Sequence, residues 1–225
     1  MNPVSFIFLI GKPGSGKTIS AEILRSFFDR HTPDTPVVDI DDFCRLEAAI
    51  KRDEQFLRHR RANDGGFEIL DQSIYDEVLQ EIDDVITRQY MHGHLILIQF
   101  ARMFYKRAFQ MFCSDIMNRS LIIYLDCNLE TCWQRNLLRQ DRHESKQHYV
   151  PKAVMERDYA YDDLITLQQS SIGDRIEVIR NESSDLHELG RKLFAVMNKF
   201  NFARGETYFY PRRGNDDKSG RYLST

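Results

Sequence analysis

Short apolar runs alternate along the chain with longer amphipathic segments. The apolar runs show little polar alternation, and they lie at residues 4–10, 36–40, 94–100, 120–127 and 175–180. Such runs are typical of strands that are buried on both faces of a parallel sheet. The amphipathic segments carry apolar side chains at helical spacing, in residues 17–30, 71–90, 151–168 and 184–199. Strands that alternate with helices predict βαβ units, so we expect a three-layer α/β fold with helices on both faces of an open parallel sheet.

An aromatic series with helical spacing follows the third apolar run. Its members are Phe100, Phe104, Tyr105, Phe109 and Phe112. Aromatic side chains at this spacing form either one face of a hydrophobic core or a surface on which bases stack. The core is the more frequent role of such a stripe, and we predict it here.

The composition predicts one sizeable globular domain that is not a dedicated nucleic-acid binder. The chain has 225 residues, of which 42% are hydrophobic, so it can bury a core without disulfide support. Its 31 basic and 34 acidic side chains leave a net charge of -3, whereas nucleic-acid-binding domains usually carry a basic surplus. The four cysteines form no Cys-x-x-Cys pair, and we expect reduced thiols. No apolar run reaches the length of a membrane span, so we expect a cytoplasmic protein without membrane contact.

A glycine-rich loop follows the first apolar run, in the stretch FLIGKPGSGKT. It satisfies the spacing G-x-x-x-x-G-K-[ST] of the phosphate-binding loop, and it lies between a predicted strand and a predicted helix, as this motif requires. Glycines let successive backbone N–H groups point at one phosphate, and the helix N-terminus adds its positive end. The lysine of the motif reaches the β- and γ-phosphates, and the threonine hydroxyl binds Mg²⁺. We therefore predict a nucleotide site formed by Gly11, Lys12, Pro13, Gly14, Ser15, Gly16, Lys17, Thr18 and Ile19.

Three acidic residues stand at the carboxyl end of the second predicted strand, namely Asp39, Asp41 and Asp42. Ligands of open α/β sheets bind at the carboxyl ends of the strands, so these carboxylates are predicted to lie close to the phosphate loop. There an aspartate can take the proton from an attacking hydroxyl or help to hold Mg²⁺. Asp41 is the first candidate for the base, and Asp39 and Asp41 are the candidate metal ligands. Alternatively, Asp41 or Asp42 simply caps the helix that begins near Phe43.

Arginines follow the third and fourth predicted strands. Arg102 comes directly after the third strand, at the same sheet edge as the phosphate loop, and arginine is suited to bidentate phosphate recognition. Arg135, Arg139 and Arg142 share one helical face after the fourth strand. If that face points into the cleft, the row neutralises charge on a γ-phosphoryl group during transfer; otherwise it is a solvated helix face.

The order of the phosphate loop, the acidic second strand, Arg102 and the arginine row resembles the P-loop kinases of the nucleoside-monophosphate-kinase (adenylate-kinase-like) group. The resemblance extends over residues 4–199 and implies a five-stranded parallel sheet of order 2-3-1-4-5. It also implies a P-loop kinase-like domain over residues 1–199, with a helical acceptor-side insert at 43–92 and a lid at 139–152. Residues 200–225 are polar and turn-rich, and we expect a C-terminal tail there.

The resemblance also implies roles for individual residues. Arg102 corresponds to the residue that holds the phosphate of the acceptor. The three arginines of the row correspond to lid residues that close over the donor, with Arg135 and Arg139 catalytic and Arg142 in contact with the nucleotide. The base of the donor would rest against the segment after the last strand, near Arg180 and Asn181.

Some features depart from the pattern of that group. Gln99 stands where many relatives carry an acid that organises Mg²⁺ through water, and the stretch QFAR lacks the usual Gly and Pro. The acid-rich stretch DIDDFCR is more similar to relatives that phosphorylate a hydroxyl group. Within the insert, the pair Gly65-Gly66 is interpreted as a helix-ending turn before a cap at Asp71, or else as an acceptor-binding loop. We prefer the turn.

The lead hypothesis is a phosphotransferase that uses ATP and Mg²⁺ and moves the γ-phosphate to a small-molecule acceptor, with a nucleotide or nucleoside as the first choice. A related hypothesis changes the acceptor to a sugar, another metabolite or a nucleic-acid end. A hypothesis from a different class is an NTP-hydrolysing switch or assembly factor. The sequence contains no guanine-specifying Asn-Lys-x-Asp motif, and a lid suits transfer better than switching because a kinase must exclude water.

Overall fold

Five parallel strands form the central sheet of the protein. The computed structural model describes residues 4–90, 92–142 and 149–200, with the backbone alone for residues 139–142. The strands of the central sheet are β1 (Phe6–Ile10), β2 (Val37–Asp41), β5 (Leu95–Phe100), β6 (Ser120–Asp126) and β7 (Ile176–Arg180). Two further strands, β3 (His59–Arg61) and β4 (Phe67–Ile69), pair with each other in a separate antiparallel hairpin.

The order of strands across the central sheet is β2-β5-β1-β6-β7, and every neighbouring pair is parallel. Counted within this sheet alone, the strands run 2-3-1-4-5. The labels differ from that count because β3 and β4 come between the second and third strands of the sheet. The α/β fold class and the five-stranded parallel sheet predicted from the sequence are confirmed.

Helices cover both faces of the sheet. In chain order they are α1 (Lys17–His31), α2 (Phe43–Arg52), α3 (Ser73–Gln89), α4 (Tyr105–Phe109), α5 (Ser114–Asn118), α6 (Leu129–Arg142), α7 (Lys152–Asp158), α8 (Leu164–Gln168) and α9 (Leu186–Lys199). Strand β1 shows how one sheet serves two cores. Phe6, Phe8 and Ile10 join the core under α3 and α4, whereas Ile7 and Leu9 join the core under α1 and α9. Successive side chains of a strand point to opposite faces, so a strand covered on both sides is apolar throughout.

The aromatic series after β5 belongs mainly to the core, as predicted. Phe100, Tyr105, Phe109 and Phe112 are each at most 5% exposed and pack in the cluster below α3 and α4. Phe104 is the exception, with 59% of its surface exposed. The series therefore supplies both core packing and one aromatic ring at the surface.

The acceptor-side insert is not entirely helical, which corrects the sequence-based expectation. Between α2 and α3 the chain forms the β3-β4 hairpin, and Gly65 and Gly66 lie in its turn rather than at a helix end. Their φ angles are 97° and 72°, and glycine adopts such left-handed conformations without steric cost. The predicted cap at Asp71 is present, since Asp71 Oδ1 accepts a hydrogen bond from the backbone N–H of Ser73 at 3.0 Å.

The amphipathic segment 151–168 forms two short helices, α7 and α8, instead of one. The connection between them carries Asp163, whose carboxylate accepts hydrogen bonds from the backbone N–H groups of Tyr105 at 2.6 Å and Lys106 at 3.0 Å. These groups belong to the first turn of α4, where backbone N–H groups have no partner within the helix. The break in the helix therefore coincides with a tertiary contact that helical periodicity does not predict.

Parts of the predicted lid and tail lie outside the described residues. This applies to residues 143–148 and 201–225 and to the side chains of 139–142. Phe200 is described and is fully buried beside α9. Among the helices that the structure describes, none is long and apolar enough to cross a membrane.

Candidate active site

The phosphate loop connects β1 to α1 at the carboxyl edge of the sheet. Gly11, Gly14 and Gly16 have φ angles of 141°, 85° and 102°. A Cβ atom at Gly14 would lie 2.3 Å from the carbonyl oxygen of Cys132, and one at Gly16 would lie 2.5 Å from Asn181 Nδ2. Backbone conformation and close packing thus both require glycine at these positions.

The loop curls around the side chain of Lys17. Lys17 Nζ donates to the carbonyl oxygens of Gly11 and Lys12, both at 3.0 Å, and the backbone N–H of Ser15 donates to the carbonyl of Lys12 at 3.0 Å. The ammonium ion therefore lies within the loop, at the start of α1, where backbone N–H groups and the positive helix end favour an anion. This arrangement suits the β- and γ-phosphates of a nucleotide.

A cavity of about 260 Å³ opens beside the phosphate loop, on the side away from β2. We call it the donor cavity. Its lining includes Gly14, Gly16, Thr18, Ile19, Arg135, Asn181 and residues 183–186. Asn181 Nδ2 donates to the carbonyl of Ser15 at 2.7 Å and so connects the end of β7 to the loop. Arg180 does not line the cavity and its side chain is exposed, so the structure brings Asn181 to the loop but not Arg180.

Arg135 connects the phosphate loop to the segment after β7. Its Nη1 donates to the carbonyl of Asn181 at 3.0 Å, and its Nη2 donates to the carbonyl of Ser183 at 2.6 Å. The guanidinium therefore contacts backbone carbonyls at the donor cavity. The side chains of Arg139 and Arg142 lie outside the described part of the chain. The clamp formed by the arginine row stays a prediction.

The three aspartates at the end of β2 have different surroundings. Asp39 is exposed and accepts a hydrogen bond from Gln99 Nε2 at 2.8 Å. Asp41 Oδ1 accepts from the backbone N–H of Phe43 at 2.9 Å, so it makes the capping contact that the sequence left open between Asp41 and Asp42. Asp42 is buried and forms an ion pair with Arg102.

The carboxylate of Asp41 has properties of a base that operates near neutral pH. Burial, reinforced by the neighbouring charge of Asp42, raises the pKa of Asp41 from 3.8 to about 6, although Lys17 acts in the opposite direction. A carboxylate with this pKa is ionised at pH 7 but takes up a proton more readily than an ordinary aspartate. Asp41 is in register with Gln99 on β5, and Gln99 with Leu9 on β1, so Asp41 lies at the sheet edge where the phosphate loop begins.

A second cavity, of about 280 Å³, lies at the same sheet edge between α3, the segment after β5 and the end of α7. We call it the acceptor cavity. Arg102 lines it and is only 8% exposed. Arg102 Nη1 donates to Asp42 Oδ2 at 2.6 Å, and the guanidinium carbon lies 4.3 Å from the ring centroid of Tyr75. This side chain is therefore held in one orientation by an ion pair and a cation–π contact.

One edge of the Arg102 guanidinium has unused hydrogen-bonding capacity. Its Nε and Nη2 atoms are buried and have no hydrogen-bond partner among the described residues. These two atoms form the side-on edge of the guanidinium, which matches two oxygens of a phosphate or carboxylate. A buried donor without a partner is costly, so this edge is a candidate site for an anionic group.

Several residues of the acceptor cavity were missed by the sequence analysis. Tyr75 lies on α3, Tyr159 follows α7, and both line the cavity. Burial raises the pKa of each, so both hydroxyls remain protonated at neutral pH. Tyr75 belongs to the amphipathic stripe of its helix and Tyr159 to no motif, so no local pattern distinguishes them from core residues.

The residues at the sheet edge fit a magnesium ion that is held mainly by phosphate oxygens and water. Among the described residues, no group of three or more His, Cys, Asp or Glu side chains could hold a metal ion alone. Thr18 lines the donor cavity next to the phosphate loop, and Gln99 Oε1 is buried without a partner in the described part of the chain. Thr18 could bind the ion directly, and Gln99 could accept a hydrogen bond from a water molecule on it.

Comparisons with known proteins assign the chain to a family. A family model described as an AAA domain matches residues 7–160, which include the phosphate loop, the acidic strand end and Arg102. The chain belongs to the AAA domain family. No match was found among curated proteins.

Solved structures, two of them kinases, share the fold of this AAA domain. Kti12 from Chaetomium thermophilum, in complex with ADP-AlF3, is 15% identical with a TM-score of 0.59, over 86% of this chain and 97% of that one. The APS kinase of Mycobacterium tuberculosis, in complex with AMPPNP and APS, is 13% identical with a TM-score of 0.51, over 88% and 99%. A sugar kinase from Janibacter sp. HTCC2649 is 13% identical with a TM-score of 0.51, over 90% and 98%. At these identities the comparison shows the P-loop kinase fold alone.

Proposed function

We propose that the protein is an ATP- and Mg²⁺-dependent phosphotransferase that moves the γ-phosphate of ATP to a hydroxyl group of a small acceptor, a nucleotide or nucleoside. One observation carries this proposal. Asp41 lies at the sheet edge where the phosphate loop begins, and its neighbour Asp42 holds Arg102 in the acceptor cavity. A candidate base therefore stands at the same sheet edge as the donor site and next to the residue that holds Arg102.

The donor half of the proposal rests on the phosphate loop and the donor cavity. The loop glycines, Lys17 and the start of α1 suit the phosphates of a nucleotide. The donor cavity continues from the loop past Thr18 and Ile19 to Asn181, and its volume of about 260 Å³ suits a purine base. Two of the structures that share the fold, the APS kinase and Kti12, are in complex with AMPPNP and with ADP-AlF3, which supports ATP as the donor.

The acceptor half rests on the lining of the acceptor cavity. The free edge of Arg102 suits a phosphate group, and the exposed ring of Phe104 and the ring of Tyr75 offer surfaces on which a base could stack. A nucleotide combines an anion, a flat ring and sugar hydroxyls. This combination favours a nucleotide or nucleoside over a sugar or another metabolite.

Asp41 and Lys17 each have one role in the proposed transfer of the γ-phosphoryl group. Asp41 takes the proton of the acceptor hydroxyl, the hydroxyl oxygen forms a bond to the γ-phosphorus, and the bond from that phosphorus to the β,γ-bridging oxygen breaks, so that ADP leaves. Lys17 stabilises the negative charge on the transferred group. When bound, Mg²⁺ supplies further charge neutralisation on the β- and γ-phosphates.

Each segment predicted from the sequence has a role in the proposed reaction. We propose that residues 1–199 form the catalytic domain, that residues 43–92 shape the acceptor side, and that residues 139–152 form a lid. The insert contacts the end of this proposed lid through Tyr149, whose Oη donates to Asp64 Oδ2 at 3.0 Å, and it contacts the segment after the lid through the ion pair of Glu68 with Arg157. Closure of a lid at this place would exclude water during transfer.

A transfer assay with γ-labelled ATP tests the proposal. The wild-type protein is incubated with a panel of nucleosides, nucleotides, sugars, other metabolites and oligonucleotides, and the products are separated. Label is expected on one nucleotide or nucleoside, and Lys17→Ala is expected to abolish that product. Lys51→Ala, which removes an exposed lysine paired with Glu47 on α2, serves as the matched control.

Two results would contradict the proposal. Label that appears only as free phosphate would indicate an NTP-hydrolysing switch, and label on a sugar or on an oligonucleotide end would overturn the proposed acceptor class. An unchanged product in Lys17→Ala would overturn the kinase mechanism itself.

A further inference from the structure

Lys12, the second residue of the phosphate loop, directs its side chain toward a tyrosine–aspartate pair that the sequence analysis did not identify. Lys12 Nζ lies 3.4 Å from Tyr124 Oη and 3.9 Å from Asp162 Oδ2. Tyr124 Oη donates to Asp162 Oδ2 at 2.5 Å. The side chains of Lys12 and Asp162 are only 14% and 13% exposed, so these charges interact in a partly desolvated environment.

The Tyr124–Asp162 pair is itself firmly placed. Tyr124 is 2% exposed on β6 and lies opposite Ile10, the last residue of β1 before the phosphate loop. Asp162 lies in the connection between α7 and α8, where its neighbour Asp163 binds the first turn of α4. An anchor of this kind can hold a flexible lysine side chain in one direction.

This lysine lies on the acceptor side of the phosphate loop. The ring centroid of Tyr124 lies 6.0 Å from that of Tyr105, which comes three residues after Arg102 in the chain. Burial, followed by the charge of Asp162, raises the pKa of Tyr105. Tyr105 and Tyr124 thus lie on the face of the sheet that carries α3, α4 and the acceptor cavity, and Lys12 points toward Tyr124.

The other described cations at this edge already have strong partners. Lys17 binds two loop carbonyls, Arg102 is paired with Asp42, and Arg135 binds the carbonyls of the donor cavity. Lys12 Nζ, by contrast, has three donors and, among the residues that the structure describes, one hydrogen bond of 3.4 Å. Its distance from Asp162 exceeds that of a hydrogen bond. The ammonium ion can therefore bind another oxygen without giving up a strong contact.

We propose that Lys12 is a second cation for the γ-phosphoryl group, and that Asp162, together with Tyr124, is the residue that positions it. The inference rests on the proposed function, because it requires a nucleoside triphosphate in the phosphate loop. The γ-phosphoryl group must face the acceptor cavity if it is to be transferred, and Lys12 is on that side. Lys17 and Lys12 would then neutralise the group from two directions.

A structural role alone would give a different result. If Lys12 only fastened the connection between α7 and α8, its removal would lower the melting temperature and change ATP and ADP binding equally. A γ-phosphate contact predicts instead that the preference for triphosphate over diphosphate falls. The quantity to measure is therefore the ratio of the dissociation constant of ADP to that of a non-hydrolysable ATP analogue.

The experiment is a double-mutant cycle on the full chain. Lys12→Met keeps the apolar stem and removes the charge, and it is expected to lower the ratio about tenfold, which corresponds to about 1.4 kcal/mol. Asp162→Asn keeps an acceptor for Tyr124 and removes the charge, and it is expected to lower the ratio about threefold through loss of orientation. In the double variant, Asp162→Asn should have no further effect, because it acts through Lys12.

The matched control is Lys51→Met on α2, which should leave the ratio unchanged. An unchanged ratio in Lys12→Met would overturn the role of Lys12, and additive effects in the double variant would overturn the positioning role of Asp162. Binding is measured without turnover, so these results do not depend on finding the acceptor. Failure of the wild-type protein to bind either nucleotide would instead overturn the proposed function at its donor site.

Discussion

The donor and acceptor cavities are similar in size but differ in how their arginines are bonded. The donor cavity has a volume of about 260 Å³ and the acceptor cavity about 280 Å³. Arg135 in the donor cavity binds backbone carbonyls through both terminal nitrogens. Arg102 in the acceptor cavity is held at Nη1, while its Nε and Nη2 have no partner among the described residues. The first arginine shapes its cavity, whereas the second retains bonding capacity for a ligand.

The two cavities also differ in how the chain builds them. The donor cavity adjoins one contiguous loop, which Asn181 and Arg135 fasten to neighbouring segments. The acceptor cavity combines α3, the segment after β5 and the end of α7, which are far apart in the sequence. A contiguous motif can be recognised locally, whereas a cavity assembled from distant segments depends on the packing of the whole domain.

The largest expected effect is on the donor side, at Lys17. Lys17→Ala should lower kcat of phosphate transfer by about 10²–10³-fold, because one stabilising donor to the transferred group is lost. The melting temperature should change little, since the described contacts of Lys17 Nζ are to carbonyls of a loop that is held by other bonds. Single-turnover kinetics and a melting curve of the same preparation measure both. A kcat close to wild type would contradict the role of this lysine.

The removal of the Asp41 carboxylate is expected to have the next largest effect. Asp41→Asn should lower kcat by about 10²-fold or more, which is the usual contribution of a general base. In the wild-type protein, kcat/KM for the acceptor should rise with pH up to the pKa of about 6 and then level off. The variant should lose this acid limb, and a variant with the same pH profile as the wild type would contradict the assignment.

At neutral pH the ionised carboxylate of Asp41 is expected to support activity but to lower the free energy of unfolding. Its pKa is raised from 3.8 to about 6 in the folded protein, so the folded state binds this proton more tightly than the unfolded chain does. The contribution of Asp41 to the free energy of unfolding is therefore fully present below pH 3.8 and is lost as the pH rises to about 6. Denaturant titrations of wild type and Asp41→Asn across this range, with their difference falling as the pH rises, check the sign.

The comparison of the two arginines is tested most directly by lysine substitutions. Arg102→Lys keeps a charge beside Asp42 but removes the side-on pair of donors, so the KM of the acceptor should rise about tenfold or more while that of ATP stays within about twofold. Alanine is a poorer choice, because it would leave Asp42 buried without a partner at a cost of about 3–5 kcal/mol.

Arg135→Lys is the reciprocal variant for this test. It should raise the KM of ATP and leave that of the acceptor unchanged, because Arg135 binds the segment that lines the donor cavity. If both variants changed the same KM, the division into a donor and an acceptor cavity would be wrong.

The smallest effect is expected from removal of residues 201–225. Such a truncation should change kcat and the melting temperature little, because the packing of α9 is completed by Phe200, which is fully buried and is retained. A fall of the melting temperature by more than about 4 °C, equivalent to about 1 kcal/mol or more, would show that the tail belongs to the core.

The sequence allowed much of the fold and the donor site to be predicted. The five apolar runs, the phosphate loop and the carboxylates at the end of β2 were all recognised from local patterns. In the structure the runs form the central sheet, and the loop and the carboxylates lie at its carboxyl edge. The β3-β4 hairpin was missed and the helix-ending turn predicted at Gly65-Gly66 was wrong, because a glycine pair with left-handed conformations fits either kind of turn. The break between α7 and α8 was also missed, since Asp163 forms it through a contact with α4.

The sequence by itself determined the alternation of strands and helices and the chemistry of the phosphate loop. The reason is that side-chain periodicity and glycine conformation act over a few neighbouring residues. Only the tertiary structure decided that Asp41 has a raised pKa, that Arg102 has a free edge, and that Lys12 meets Asp162. Burial and Coulomb interactions depend on residues that the fold brings together across the chain, and these contacts define the acceptor side of the site.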